Sequence, residues 1–167
     1  MLTIGEKEML DHLQDIRTSI KRDINPVIWQ KDTGFFAFIR SFFSYIDYLG
    51  LLAFGKTDKK GQIAEGQSTE CSVKFIQDFF DYPYKELASL LVYMYRHGII
   101  HQYQPKFILL NGGKNIGFMT DHPSIIEYNG EVYHHLRYKN NFLPFSLEAA
   151  SRVLMLLYLL PVHSYIH

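Results

Sequence analysis

The chain has 167 residues, 47% hydrophobic and 20% charged, which suits one folded domain spanning 1–167 and argues against disorder. Seventeen basic residues balance seventeen acidic ones, so the chain is no general polyanion binder, and nucleic acid could be held only by a local basic patch. The single cysteine, Cys71, excludes an internal disulfide and every cysteine-rich zinc motif, and it fits a reducing compartment.

The N-terminus lacks the basic-then-apolar order of a signal peptide. The apolar runs Phe35–Phe54 and Val153–Val162 are interrupted by Arg40, Asp47 and Gly50 or are too short to span a bilayer. A cytoplasmic protein with no membrane partner is expected. Aromatic residues reach 16%, an excess that fits a dense core, a partner interface or both.

A first helix is predicted over residues 3–24, with Thr3 as N-cap, Glu6 as its capping-box partner, and Met9, Leu13, Ile16 and Ile20 at helical spacing. Asn25-Pro26 is expected to end it. A second helix is predicted over 32–53, capped by Asp32 or Thr33. Its apolar residues Phe35, Phe38, Ile39, Phe42, Phe43, Ile46 and Leu49 cover more than half the circumference, so it should be buried on most sides. Residues 55–67 read as a polar, glycine-bearing surface loop.

A third helix starts at Ser68 or Thr69 and carries Val73, Ile76, Phe79 and Phe80, and Asp81-Tyr82-Pro83-Tyr84 is a turn. The fourth helix runs from about Tyr84 to His101, with Leu87, Leu90, Leu91 and Met94 in one stripe, and is closed by Gly98 or Pro105. The period then changes. Lys106–Leu110, Asn115–Met119, Ser124–Tyr128 and Glu131–Tyr138 are short and rich in β-branched and aromatic residues, and Asn129-Gly130 is a two-residue hairpin signal. A last helix spans Ser146–Leu160, with Ser146 as cap and Pro161 as stop. The fold class is mainly α: a helical bundle with a small antiparallel β hairpin or sheet, about 106–138, inserted before the last helix.

The segment richest in chemistry is Tyr95-Arg96-His97-Gly98-Ile99-Ile100-His101-Gln102, followed by Tyr103-Gln104-Pro105-Lys106. Imidazoles exchange protons near neutral pH, and a guanidinium holds phosphate and offsets transition-state charge. Together they suit phosphodiester cleavage without a metal. On an ideal helix His97 and His101 share a face, whereas Arg96 lies about 140° from His101, so the pair converges only if the backbone turns near Gly98 or a second chain faces the first. The Arg-to-His spacing alone is common by chance, and the macrodipole favours histidine at a helix C-terminus in any case.

Other clusters are weaker. In a strand His134 and His135 point to opposite faces, one out and one in. His97 and His101 lack the Glu of a His-Glu-x-x-His zinc site, its place being Gly98. Gly112-Gly113-Lys114 reads as a turn, and Cys71 as buried and inert.

The segment Tyr95–Gln102, with Pro105-Lys106 beyond it, resembles the HEPN superfamily. That family's signature is an Arg, four to six residues and a His, often with a polar residue directly after the Arg, at the end of a helix late in a helical bundle. The resemblance implies a HEPN-like fold, a symmetric homodimer with both signatures in one cleft, and metal-independent endoribonuclease activity needing no cofactor. By carry-over Arg96 would position the scissile phosphate, His101 would act as general acid or base, and His97 would assist. Tyr95, Gln102 and Lys106 would contact RNA. A toxin or defence role, with a cognate antitoxin as partner, belongs to the same expectation. The alternative is a catalytically inactive HEPN-like binding or scaffolding module. The β segment departs from a minimal four-helix bundle.

Overall fold

The most apolar stretch of the chain is also the centre of its fold. The computed structural model describes residues 3–28, 34–62, 64–98, 106, 108–109, 113, 115–121, 123 and 125–156. Helix α2 (Phe35–Phe54) buries Phe38, Ile39, Phe42, Phe43, Ile46, Leu49 and Gly50. It packs against α1 (Ile4–Ile28), α3 (Ser68–Phe79), the π-helical turn that follows α4 (Tyr84–Leu91), and α5 (Leu147–Leu156). By length and composition α2 is apolar enough to cross a bilayer. Its buried residues are covered by the other helices, but Phe36, Tyr48 and Leu52 are exposed, so the helix is covered less fully than the breadth of its apolar stripe predicts.

Helix α1 starts directly after Thr3, whose carbonyl accepts the Lys7 N–H at 3.1 Å. It buries Leu13, Ile16, Ile20 and Ile24. The expected stop at Asn25-Pro26 is overturned, because the helix continues through Pro26 to Ile28. Proline has no donor for the Arg22 carbonyl four residues back, so the helix forgoes that bond and ends two residues later. The predicted caps Asp32 and Thr33 lie outside the described residues. α2 is preceded by Gly34 at φ 85°, a left-handed conformation suited to glycine.

Helix α3 begins at Ser68 as expected. Helix α4 passes at once into a π-helical turn, Val92–Arg96, in which the His97 N–H bonds the Val92 carbonyl. His97 and Gly98 continue helically, and the expected final turn through His101 falls outside the described residues. The widened turn buries Val92, Met94, Tyr95 and Arg96 together, a broader face than the Leu87–Met94 stripe predicts.

Two small sheets follow. Strands β3 (Ile125–Tyr128) and β4 (Glu131–His134) form an antiparallel hairpin. Its turn places Asn129 and Gly130 at φ 51° and 74°, the conformation that makes Asn-Gly a hairpin signal. β1 (Ile108–Leu109) pairs antiparallel with β2 (Asn115–Asp121), and β2 pairs parallel with β5 (Phe142–Ser146). The expectation of a purely antiparallel segment ending near Tyr138 is therefore corrected. β5 contains Pro144, which argues against a strand in the sequence. However, the Pro144 carbonyl accepts from the Leu136 N–H at 2.8 Å on the side away from β2. The missing donor thus lies on that outer edge, and the ladder to β2 is intact. At the strand's end the Ser146 hydroxyl caps α5 as predicted, accepting the Ala149 N–H at 3.2 Å.

The aromatic excess is largely core. Phe43 stacks on Tyr95 with ring centres 6.5 Å apart, and Phe145 of β5 meets Tyr95 at 4.8 Å and Phe42 at 5.8 Å. These rings join sheet to bundle. His135 adds a polar tie. Its Nδ1 accepts the Ser146 N–H at 2.8 Å, which leaves the proton on Nε2 to donate to the Tyr84 hydroxyl at 2.7 Å. Burial pulls its pKa from 6.5 to about 4. His134 faces solvent, so one histidine is out and the other in as expected, although His135 lies in the turn just beyond β4.

Close approach of α2 and α3 depends on Gly50. A Cβ there would sit 2.7 Å from the Cys71 carbonyl oxygen and 2.8 Å from its carbon, both backbone atoms. Gly50→Ala should destabilise the protein by about 1–3 kcal/mol in urea unfolding, because the clash outweighs alanine's better helix propensity. An unchanged midpoint would show that the helices can part at no cost.

His135 generates a pH prediction. The unfolded chain holds the extra proton between pH 6.5 and about 4, so stability is complete above that window and falls as pH drops through it, by up to about 3 kcal/mol. Replacing His135 with Leu should flatten this part of the curve of urea midpoint against pH. An identical slope in both proteins would remove His135 as the cause.

Candidate functional site

Arginine is rarely withdrawn from water unless its donors are met. Arg96, at the end of the π turn, is only 8% exposed. Its Nε donates to both Asp47 oxygens of α2, at 3.0 and 2.8 Å. Its other donors turn to the first residues of α3. Nη2 reaches the Ser68 hydroxyl at 2.8 Å and Nη1 the Thr69 hydroxyl at 3.1 Å. The Ser72 hydroxyl lies against Asp47 Oδ1 and 2.6 Å from the Ser68 carbonyl oxygen, and its one proton serves either acceptor. Among the described residues no buried side-chain polar atom lacks a partner.

His97 completes the group. Its Nε2 is 3.4 Å from Arg96 Nη1 and 3.3 Å from the Thr69 hydroxyl. A guanidinium cannot accept, so Nε2 carries the lone pair there and the neutral ring holds its proton on Nδ1. Thr69 and His97 are half-buried. Asp47 on the Nε edge is half-buried as well, so the two edges of Arg96 differ in the charge of their partners rather than in access to solvent.

Lys106 sits close by. Its N–H bonds the Met94 carbonyl at 2.8 Å, and its ammonium lies 5.3 Å from the Tyr93 ring centre. Lys106 is thus anchored to the helix within two residues of Arg96. His101 and Gln102 belong to the intervening 99–105, outside the described residues.

The structure brings together Arg96 and His97, with Lys106 nearby. It does not bring Tyr95 to the site, which corrects the expected RNA contact. Tyr95 is fully buried, its hydroxyl donates to the Leu143 carbonyl at 2.8 Å, and burial pushes its phenol well above the ordinary range. Cys71 is also buried, and burial raises its thiol pKa, so it is a poor nucleophile.

Sequence reasoning misses Asp47, Ser68, Thr69 and Ser72 as site residues. The sequence holds one clue: Asp47 is an acid in an otherwise apolar helix, between Ile46 and Leu49, and a carboxylate in that setting needs a cation. No group of three or more metal-ligating side chains occurs among the described residues. No family model, curated protein or solved structure matches the chain.

Breaking the pair from either side strands a buried charge. Asp47→Ala and Arg96→Ala should each cost about 3–5 kcal/mol in urea unfolding. The double variant should cost less than the sum by roughly 1–3 kcal/mol. Strict additivity would show that the two groups do not act as a pair.

Proposed function

We propose that the protein is a metal-independent endoribonuclease of HEPN type, acting as a homodimer, with Arg96, His97 and His101 as its catalytic residues. The observation that carries this is the held guanidinium. Asp47 fixes the Nε side of Arg96, while the Nη edge faces half-buried hydroxyls and the lone pair of His97. Such an edge is preorganised for a phosphate, whose oxygens can take the places of the Ser68 and Thr69 hydroxyls. The order of helices and the position of the cluster at the end of the fourth also fit the HEPN resemblance.

In the reaction the ribose 2′-oxygen attacks phosphorus and the bond to the 5′-oxygen breaks. One group takes the 2′-hydroxyl proton and another supplies a proton to the leaving oxygen. His101 fills one of these roles and His97 assists, while Arg96 offsets the charge that grows on the phosphate. Lys106, close to the cluster, and Gln102 contact the RNA. Arg96 and His101 diverge on a single ideal helix, so a facing copy of the chain supplies the missing partner. A cytoplasmic toxin or defence nuclease, neutralised by a cognate antitoxin, fits this chemistry.

One observation favours a second reading, a catalytically silent HEPN-like binding module. Arg96 is buried and its charge is met by Asp47, an arrangement that a purely structural network also requires.

The two readings separate in one assay. Purified protein should cleave RNA in EDTA. Arg96→Lys, which keeps the charge but loses the fork, and His101→Ala should each lower the rate by about 10²-fold or more while staying folded. Mixing the two variants should restore activity, because a dimer of unlike chains rebuilds one site with both groups. Equal residual cleavage in all three proteins means contamination and sinks the enzyme reading. Loss in both variants without restoration on mixing confines the site to one chain.

A further inference from the structure

The Arg96 cluster does not end at the catalytic groups. Tyr93 is 51% exposed although Val92, Met94, Tyr95 and Arg96 around it are buried. Its ring lies 6.3 Å from the His97 ring and 5.3 Å from the Lys106 ammonium. A large aromatic surface kept in water beside a cation is what nucleobase stacking uses.

On the other side of the cluster the α2–α3 loop is rigidly built. The Gln67 side chain clamps Lys56, accepting its N–H at 2.8 Å and donating to its carbonyl at 2.9 Å. Asp58 turns one carboxylate oxygen inward, onto the N–H groups of Lys60 and Gln62 at 2.8 and 3.0 Å. Lys56, Lys59 and Lys60 stay exposed, and none of the ion pairs among the described residues includes them. Asp58, exposed in the same loop, offsets one of the three charges, and the next exposed acids in sequence are Glu65 and Glu70. In an otherwise neutral chain this is a local basic patch. A chain of contacts links it to Tyr93 through the buried Arg96: Gln67 adjoins Ser68, Ser68 bonds Arg96, Arg96 meets His97, and His97 meets Tyr93.

We infer that this strip binds an extended single strand of RNA, with one base stacked on Tyr93 and the phosphates on one flank carried over the Lys56–Lys60 loop. This rests on the ribonuclease reading and names its substrate as single-stranded. A duplex keeps its bases stacked on one another and offers none to Tyr93.

The test is fluorescence anisotropy with a labelled single-stranded RNA oligonucleotide, in a His101→Ala background so that the probe stays intact, at several salt concentrations. Tyr93→Ala should weaken binding roughly tenfold with an unchanged salt slope, and Tyr93→Phe should bind as the parent does. Replacing Lys56, Lys59 and Lys60 with Gln should flatten the plot of log Kd against log salt, by about 0.7 for each phosphate that is no longer neutralised. A matched duplex should bind less tightly than the single strand. Unchanged affinity in Tyr93→Ala, or an unchanged slope in the lysine variant, overturns the strip while leaving the ribonuclease reading intact. Absence of any RNA binding by the parent overturns both.

Discussion

The ion pair between Arg96 and Asp47 is the contact on which the rest of this structure depends, because three helices must be in place to make it. α2 supplies the carboxylate, α3 supplies the Ser68, Thr69 and Ser72 hydroxyls, and the π turn after α4 supplies the guanidinium. Withdrawing either charge from water alone costs several kcal/mol, and the loss is recovered only when geometry and hydrogen bonding are complete. Gly50 lies three residues beyond Asp47 and lets the α3 backbone come close. Ser72 can then reach the carboxylate. A polar network and a glycine contact are thus one construction.

The π turn does the second piece of positioning. Tyr95 and Arg96 are adjacent in sequence, yet Tyr95 donates to Leu143 of β5 while Arg96 turns to α2 and α3. One residue therefore docks the sheet and the next organises the cluster. The Met94 carbonyl accepts from Lys106, so the strand region starts from the same turn. The β segment is in this way fixed to the bundle on both sides of the candidate site, through Lys106 at one end and the Phe145–Tyr95 ring contact at the other.

What can be read from residues alone is what depends on local chemistry. The start of α3 at Ser68, the Asn129-Gly130 hairpin and the Ser146 cap each follow from one or two residues whose side chains or backbone freedom settle the matter. What cannot be read depends on distant partners. Pro144 hides β5 because only the position of Leu136 shows that its missing donor faces away from the ladder. Pro26 reads as a stop because nothing local shows that the helix runs two residues past it. The π turn has no sequence signature, and its consequence, a buried Tyr95 beside a buried Arg96, reverses the expectation that Tyr95 meets RNA. For the site, Arg96 and His97 are legible as reactive types. Asp47 is not, because an acid twenty-five residues from Ser72 and forty-nine from Arg96 becomes their partner only through helix packing.

Stability alone is a weak reason for such a cluster. A well-packed apolar set in place of a buried ion pair commonly leaves a protein as stable or more so, and the surrounding core already supplies the ring contacts to build one. The network is also lopsided. Its carboxylate binds the Nε edge of the guanidinium, whereas among the described residues the Nη edge meets only neutral hydroxyls and a histidine lone pair. If the aim were merely to bury a charge, a second carboxylate or backbone carbonyls could serve the Nη groups. Hydroxyls that an incoming anion can displace, beside an imidazole that can exchange a proton, suit a site that must open to a phosphate and close again. That asymmetry, more than the spacing of Arg96 and His101, is the physical argument behind the proposed catalytic role.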